Sequence, residues 1–89
     1  MPERTVTVAS SVGLHARPAA TFSQAAAAKA PLVVTITNGA GRSVNAASIL
    51  GVLSLGVGHG EEVTLSADGD GADAALDELV SLLESDLDA

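Results

Sequence analysis

Apolar and polar positions alternate at period two in Thr5-Val6-Thr7-Val8, which predicts a half-buried strand. Small residues from Ala9 to Val12 then form a loop that ends at Gly13. The period next changes to that of a helix. Pro18, Ala19, Phe22, Ala25, Ala26 and Lys29 follow helical spacing, with Phe22 toward the core, and Ala19 to Ala28 is a strong helix former. The alanine run Ala25 to Ala28 suits a helix packed closely on a sheet. Pro31 stops it. Leu32 to Thr37 reads as a second strand with Leu32, Val34 and Ile36 on one face, and Asn38-Gly39-Ala40-Gly41 as a hairpin loop. A short third strand around Arg42-Ser43-Val44 pairs back. Ser48 is an N-cap for a short helix from Ile49 to about Leu55, ended by Gly56. Glu62 to Ala67 is the fourth strand, with Val63 and Leu65 inward. After the loop Asp68-Gly69-Asp70-Gly71, a last amphipathic helix starts at Ala72. Its stripe is Ala75, Leu76, Leu79, Val80, Leu83 and Leu87, with Asp73, Asp77, Glu78 and Glu84 opposite and fraying near Asp88.

The resulting order βαββαβα predicts an α+β domain, a four-stranded antiparallel sheet covered on one face by three helices. Its 89 residues make one domain, 1–89, and the 47% apolar content is enough for a core. There is no cysteine, which removes disulfides and thiolate metal sites and fits a reducing compartment. No apolar run approaches the roughly 20 residues of a membrane span. Met-Pro-Glu-Arg-Thr at the start lacks the apolar segment of a signal peptide. The expectation is a monomeric cytoplasmic protein that is not exported. The formal net charge of −7, with Arg4, Arg17, Lys29 and Arg42 the cations, argues against nucleic acid and anionic membranes. Phe22 is the sole aromatic, so there is no platform for stacking bases.

The chemistry concentrates in Gly13-Leu14-His15-Ala16-Arg17-Pro18-Ala19-Ala20. Pro18 has no N–H to donate, yet suits the first turn of a helix, where such groups lack intrahelical partners. His15 is therefore placed at or just before a helix start, beside free N–H groups and the positive end of the dipole. That environment and the Arg17 guanidinium disfavour a second positive charge, which keeps the imidazole neutral and nucleophilic. Once a phosphoryl group sits on the ring, the same groups favour its charge. The remaining candidates are weaker. Gly39 and Gly41 lack a P-loop lysine and read as turn glycines. Asp68 and Asp70 lack the other ligands of an EF-hand. His59, in Gly58-His59-Gly60, reads as a surface residue, and a His15–His59 metal pair has no further ligands in view. No metal or cofactor site is expected.

Gly-Leu-His-Ala-Arg-Pro-Ala resembles the active-site signature of the HPr family, the histidine-containing phosphocarriers of the bacterial phosphoenolpyruvate:sugar phosphotransferase system (PTS). Val44-Asn45-Ala46-Ala47-Ser48-Ile49-Leu50-Gly51-Val52-Leu53-Ser54-Leu55-Gly56 resembles the family's second signature, around its regulatory serine. The two motifs stand in the family's order, though the hairpin loop is slightly longer than usual. The resemblance implies an open-faced β-sandwich and a phosphoryl carrier rather than an enzyme. It implies phosphorylation of His15 at Nδ1 with Arg17 steadying the group, enzyme I as donor and EIIA domains of sugar permeases as acceptors. Magnesium would belong to the donor. Ser48 matches the position phosphorylated by a serine kinase in many Gram-positive relatives, although Ala46 and Ala47 depart from the commoner pattern around it. A transcriptional regulator is a further partner the resemblance allows. Ile49, Leu50 and Leu53 divide between core and partner surface, a division the residues alone leave open. A nitrogen-type phosphocarrier, or a regulatory module that binds without phosphorylation, are the alternative readings.

Overall fold

The computed structural model describes residues 2–9, 13–14, 16–29 and 32–85. Its elements run β1 (Glu3–Thr7), α1 (Ala16–Ala27), β2 (Val34–Thr37), β3 (Ser43–Asn45), α2 (Ile49–Ser54), β4 (Glu62–Ala67) and α3 (Ala72–Glu84). The strands form one antiparallel sheet in the order β1-β4-β2-β3. This is the open-faced α+β sandwich expected, with helices on one face and solvent on the other.

Period-two alternation sorts the sheet into those faces. Val6, Val34, Ile36, Val63, Leu65 and Ala67 turn inward and are all but inaccessible. The outward face is rich in hydroxyls that meet across strands. Thr5 Oγ1 lies 3.2 Å from Thr64 Oγ1, and Thr37 Oγ1 lies 2.7 Å from Ser43 Oγ, each pair in direct register. Phe22 of α1 and Leu76, Leu79 and Leu83 of α3 fill the space over the inner face. At about 25 cal/mol per Å² of apolar surface, this core is the main source of stability.

Two strands depart from the hydrophobic pattern. β1 begins at Glu3, two residues before the apolar alternation, because Glu3 and Arg4 pair with Ser66 and Leu65 of β4. β2 begins at Val34; Leu32 packs against the core from the preceding turn, and Val33 is 61% exposed. Arg4 shares the inward parity of Val6 but lies where α3 crosses the strand. Its guanidinium bonds Asp73 at 2.9 Å and Asp77 at 3.1 Å, and these bonds, that to Asp73 first, raise its pKa. Lys29 pairs with Glu78 farther along the same helix. The two ends of α3 differ: Asp73 lies in the first turn, and at the other end Ser85 Oγ donates to Leu82 O at 2.8 Å. Gly71 caps its start in the left-handed region, φ 82°, with no side-chain hydrogen bond. Leu87, expected on its apolar stripe, lies outside the described residues, as do Pro31 and residues 10–12.

Candidate functional site

Helix α1 begins at Ala16, so Arg17 and Pro18 both lie in its first turn, where the sequence places Pro18. Pro18 costs no hydrogen bond there, because the first four N–H groups of a helix have no intrahelical acceptor. Pro18 is buried and Arg17 exposed. Among the described residues Arg17 has no ion-pair partner, whereas Arg4 and Lys29 are both paired with α3. His15 immediately precedes α1 in sequence and lies outside the described residues, so its placement stays an expectation.

The segment that leads into the helix is held from two directions. Leu14 is fully buried, and its N–H donates to the Val57 carbonyl at 2.9 Å. Gly13 adopts φ 71°, and a Cβ there would stand 2.4 Å from Val57 O and 2.6 Å from Gly58 Cα. Only glycine permits that backbone-to-backbone approach. The contacting stretch is itself tied down. Gly58 N–H donates to Glu61 Oε2 at 3.1 Å, Gly60 N–H to Val8 O at 2.9 Å, and Val8 N–H to Glu61 O at 3.0 Å. His59 is exposed on this turn. Backbone freedom is the local role of Gly13; its close packing against Val57 and Gly58, beyond the end of α2, is a tertiary one.

Helix α2 supplies the second half of the site. Asn45 Oδ1 accepts the Ala47 N–H at 2.8 Å, a local turn that precedes the helix. Ser48 is its N-cap, in extended backbone, with Oγ accepting the Gly51 N–H at 3.2 Å. The opposite end is held by the β2–β3 hairpin. Asn38 Oδ1 accepts the Ala40 and Arg42 N–H groups at 3.0 Å each, while its Nδ2 donates to Leu55 O at 3.3 Å. In sequence Asn38 is only a turn residue; the bond to Leu55 O makes it a clamp between the hairpin and the end of α2. The structure also divides the three apolar positions of α2. Leu50 is 77% exposed and Ile49 39%, whereas Leu53 is partly buried against the core and Val52 fully buried. Gly51 lets the helix settle on β3, since a Cβ there would meet Val44 Cβ at 3.2 Å.

Helices α1 and α2 pack together, so Arg17, the Ser48 cap and the exposed Leu50 belong to one pair of adjoining elements. Two open grooves, one lined by Lys29, Leu32 and Glu78 and one by Asn38, Leu55 and Glu61, include none of these three. Among the described residues no three His, Asp or Glu side chains gather as a metal-binding group. No described helix is long and apolar enough to cross a membrane.

A family model described as "PTS HPr component phosphorylation site" matches residues 2–85. The chain is 49% identical over 88 residues to a protein of Streptomyces coelicolor named phosphocarrier protein HPr, covering 99% of this chain and 94% of that one. It is 42% identical over 86 residues to phosphocarrier protein NPr of Shewanella violacea, covering 97% and 92%. Among solved structures, HPr-C-His from Thermoanaerobacter tengcongensis superposes with a TM-score of 0.91 at 42% identity, covering 100% of this chain and 98% of that chain.

Proposed function

The chain belongs to the HPr family of PTS phosphocarriers, and from that premise we propose that it takes a phosphoryl group on Nδ1 of His15 from phosphorylated enzyme I and hands it to EIIA domains of sugar permeases. The observation that carries the reading is the start of α1: Arg17, without an ion-pair partner among the described residues, stands in its first turn two residues after His15.

The chemistry asks for a neutral imidazole before transfer and a tolerated dianion after it. A helix start and a guanidinium supply both, because each repels an imidazolium and attracts a phosphoryl group. Nδ1 attacks phosphorus with its lone pair as the bond to the donor breaks; passing the group on reverses the roles. Hydrogen bonds to a charged group contribute about 1.5–3 kcal/mol and the dipole about 0.3–1 kcal/mol. Stabilisation of that size holds a phosphohistidine without trapping it. Leu50 and Ile49, exposed on α2, are the docking residues of this reading, with Leu53 beneath them. Ser48 is its regulatory position, and the cytoplasm its compartment.

The test is incubation with enzyme I and labelled phosphoenolpyruvate. One acid-labile phosphoryl group is expected, absent in His15→Ala although that variant folds. Arg17→Ala should slow transfer severalfold at unchanged melting temperature, and Arg17→Lys should recover part, since an ammonium cannot match the guanidinium fork. Acid-stable label, or label retained in His15→Ala, refutes the assignment. The NPr relative supports a second reading, a nitrogen-type relay. The same assay with enzyme I of each system separates them by relative rate.

A further inference from the structure

The groove lined by Lys29, Leu32 and Glu78 lies at the opposite end of α1 from His15. At about 1.5 Å per residue, the 12 residues of α1 put about 18 Å between the two ends, so the carrier reading makes no use of this groove. Its volume of about 430 Å³ is that of a small-molecule site. One side is the turn after α1, with Lys29 and Leu32; the other is the β4–α3 loop and the first turns of α3.

The groove joins an apolar floor to an acidic rim. Leu32, Ala74 and Ala75 form the floor. The loop crosses Leu32 as bare backbone, because a Cβ at Gly69, where φ is 125°, would stand 3.3 Å from Leu32 Cδ1. Asp68 and Asp70 rise exposed from that loop, and neither has an ion pair among the described residues. The third carboxylate, Glu78, is taken by Lys29, whose side chain is only 23% exposed. An aliphatic stem with its ammonium head on a carboxylate therefore already lines the groove. The loop side offers the same two features, apolar surface and carboxylate, with no lysine or arginine of the described chain paired to them. One cation against three carboxylates also leaves the rim net negative.

We propose that this groove binds a small aliphatic ammonium ion, its stem on Leu32, Ala74 and Ala75 and its head at the carboxylates of Asp68 and Asp70. An inorganic cation gains nothing from the floor, and an anion meets the acidic rim; a short organic cation uses both. Bound there, it ties the β4–α3 loop to the turn after α1, so the folded chain gains stability with occupancy. The site stands apart from the carrier reading, and its failure leaves that reading untouched.

The experiment titrates the 15N-labelled protein with n-pentylamine at about pH 7, where the amine is charged. Pentanoate and ammonium chloride, at equal ionic strength, keep only the stem or only the charge. Pentylamine should shift the amides of Lys29, Leu32 and residues 68–78 along one saturating curve. The Kd should be on the order of 1–10 mM, in keeping with so small a ligand and exposed ion pairs. The two controls should leave those amides unmoved. Asp68→Asn and Asp70→Asn should each weaken binding about two- to fivefold, the range of an exposed ion pair, whereas Glu84→Gln, on α3 outside the groove, should bind as wild type. Ala74→Lys places the chain's own alkylammonium at the groove. Position 74 is exposed and lysine suits a helix, so this variant should keep its melting temperature and weaken binding more than about tenfold. Pentylamine should raise the melting temperature of the wild type but not of Ala74→Lys. Shifts spread evenly over the acids of α3 mean a diffuse counter-ion atmosphere and overturn the proposal. So do equal shifts from either control, wild-type affinity in Ala74→Lys or in both Asp variants, or no saturating shift at all.

Discussion

Replacing Gly13 by alanine isolates the contact that holds the segment leading to His15. Two costs separate at this position. A side chain in the left-handed region costs about 1–2 kcal/mol. In addition, the new Cβ would lie 2.4 Å from a carbonyl oxygen and 2.6 Å from an α-carbon, both backbone atoms. The chain must move apart there, which stretches the 2.9 Å bond from Leu14 N–H to Val57 O, itself about 1 kcal/mol. The total is about 2–3 kcal/mol. In a domain of this size each kcal/mol shifts the melting temperature by about 4–8 °C, so a fall of about 8–24 °C is expected. Other glycines of the same protein calibrate the parts. Gly41 has φ 87° but open space around it, so Gly41→Ala should cost the conformational part alone. Gly39 has neither constraint, and Gly39→Ala should fall within about 0.5 kcal/mol of wild type. Far-UV circular dichroism reads all three melts. If Gly13→Ala and Gly41→Ala melt together, Gly13 is not packed against Val57 and Gly58, and the reasoning fails.

Ser48→Ala should lose about 1 kcal/mol, the worth of an N-cap, and transfer phosphoryl normally. Ser48→Asp keeps an acceptor for the Gly51 N–H and should hold its melting temperature, yet lose transfer from enzyme I, because it brings a negative charge beside Leu50; an Asp variant as fast as wild type removes Ser48 from the interface. Asn38→Ala removes the acceptor of two N–H groups and the donor to Leu55 O, so it should destabilise by about 1–3 kcal/mol in chemical denaturation; a change below about 0.5 kcal/mol shows that the hairpin does not hold α2. Phe22→Ala empties a fully buried site and should cost about 3–5 kcal/mol by the same denaturation, and a smaller loss means that the core closes over the gap.

How much of this architecture is legible in the residues depends on whether a signal is local. β4 runs over Glu62–Ala67 as its alternation predicts, because both of its neighbours are strands and its inward side chains must all be apolar. The start of α3 at Ala72 is equally plain, since an unbroken apolar stripe follows a pair of glycines. The start of β1 is not plain. Glu3 and Arg4 carry no apolar signal, and they are strand because β4 offers them partners some 60 residues away. The Arg4 contacts with Asp73 and Asp77 reach farther still, across 69 and 73 residues. They explain why an arginine can occupy an inward position of a strand, but only once α3 is known to cross there.

The site divides along the same line. Pro18 in the first turn of a helix and Ser48 at an N-cap are legible because each is a local backbone signal, the missing N–H of Pro18 and the Ser48 Oγ that accepts the Gly51 N–H three residues on. The separation of Leu50 and Ile49 from Val52 is not, because a helix of six residues is too short for its own periodicity to define a face. β3 and α1 decide which side is covered. The need for glycine at position 13 is likewise a property of Val57 and Gly58, not of its own neighbourhood. These tertiary contacts converge on one consequence. The stretch after α2 is the surface against which the segment before α1 is packed, so the residues that follow the helix of the exposed leucine share a backbone contact with the turn that precedes the helix of Arg17. A displacement of α2 sufficient to break the Leu14–Val57 bond would therefore disturb the segment leading into His15 as well as the docking face.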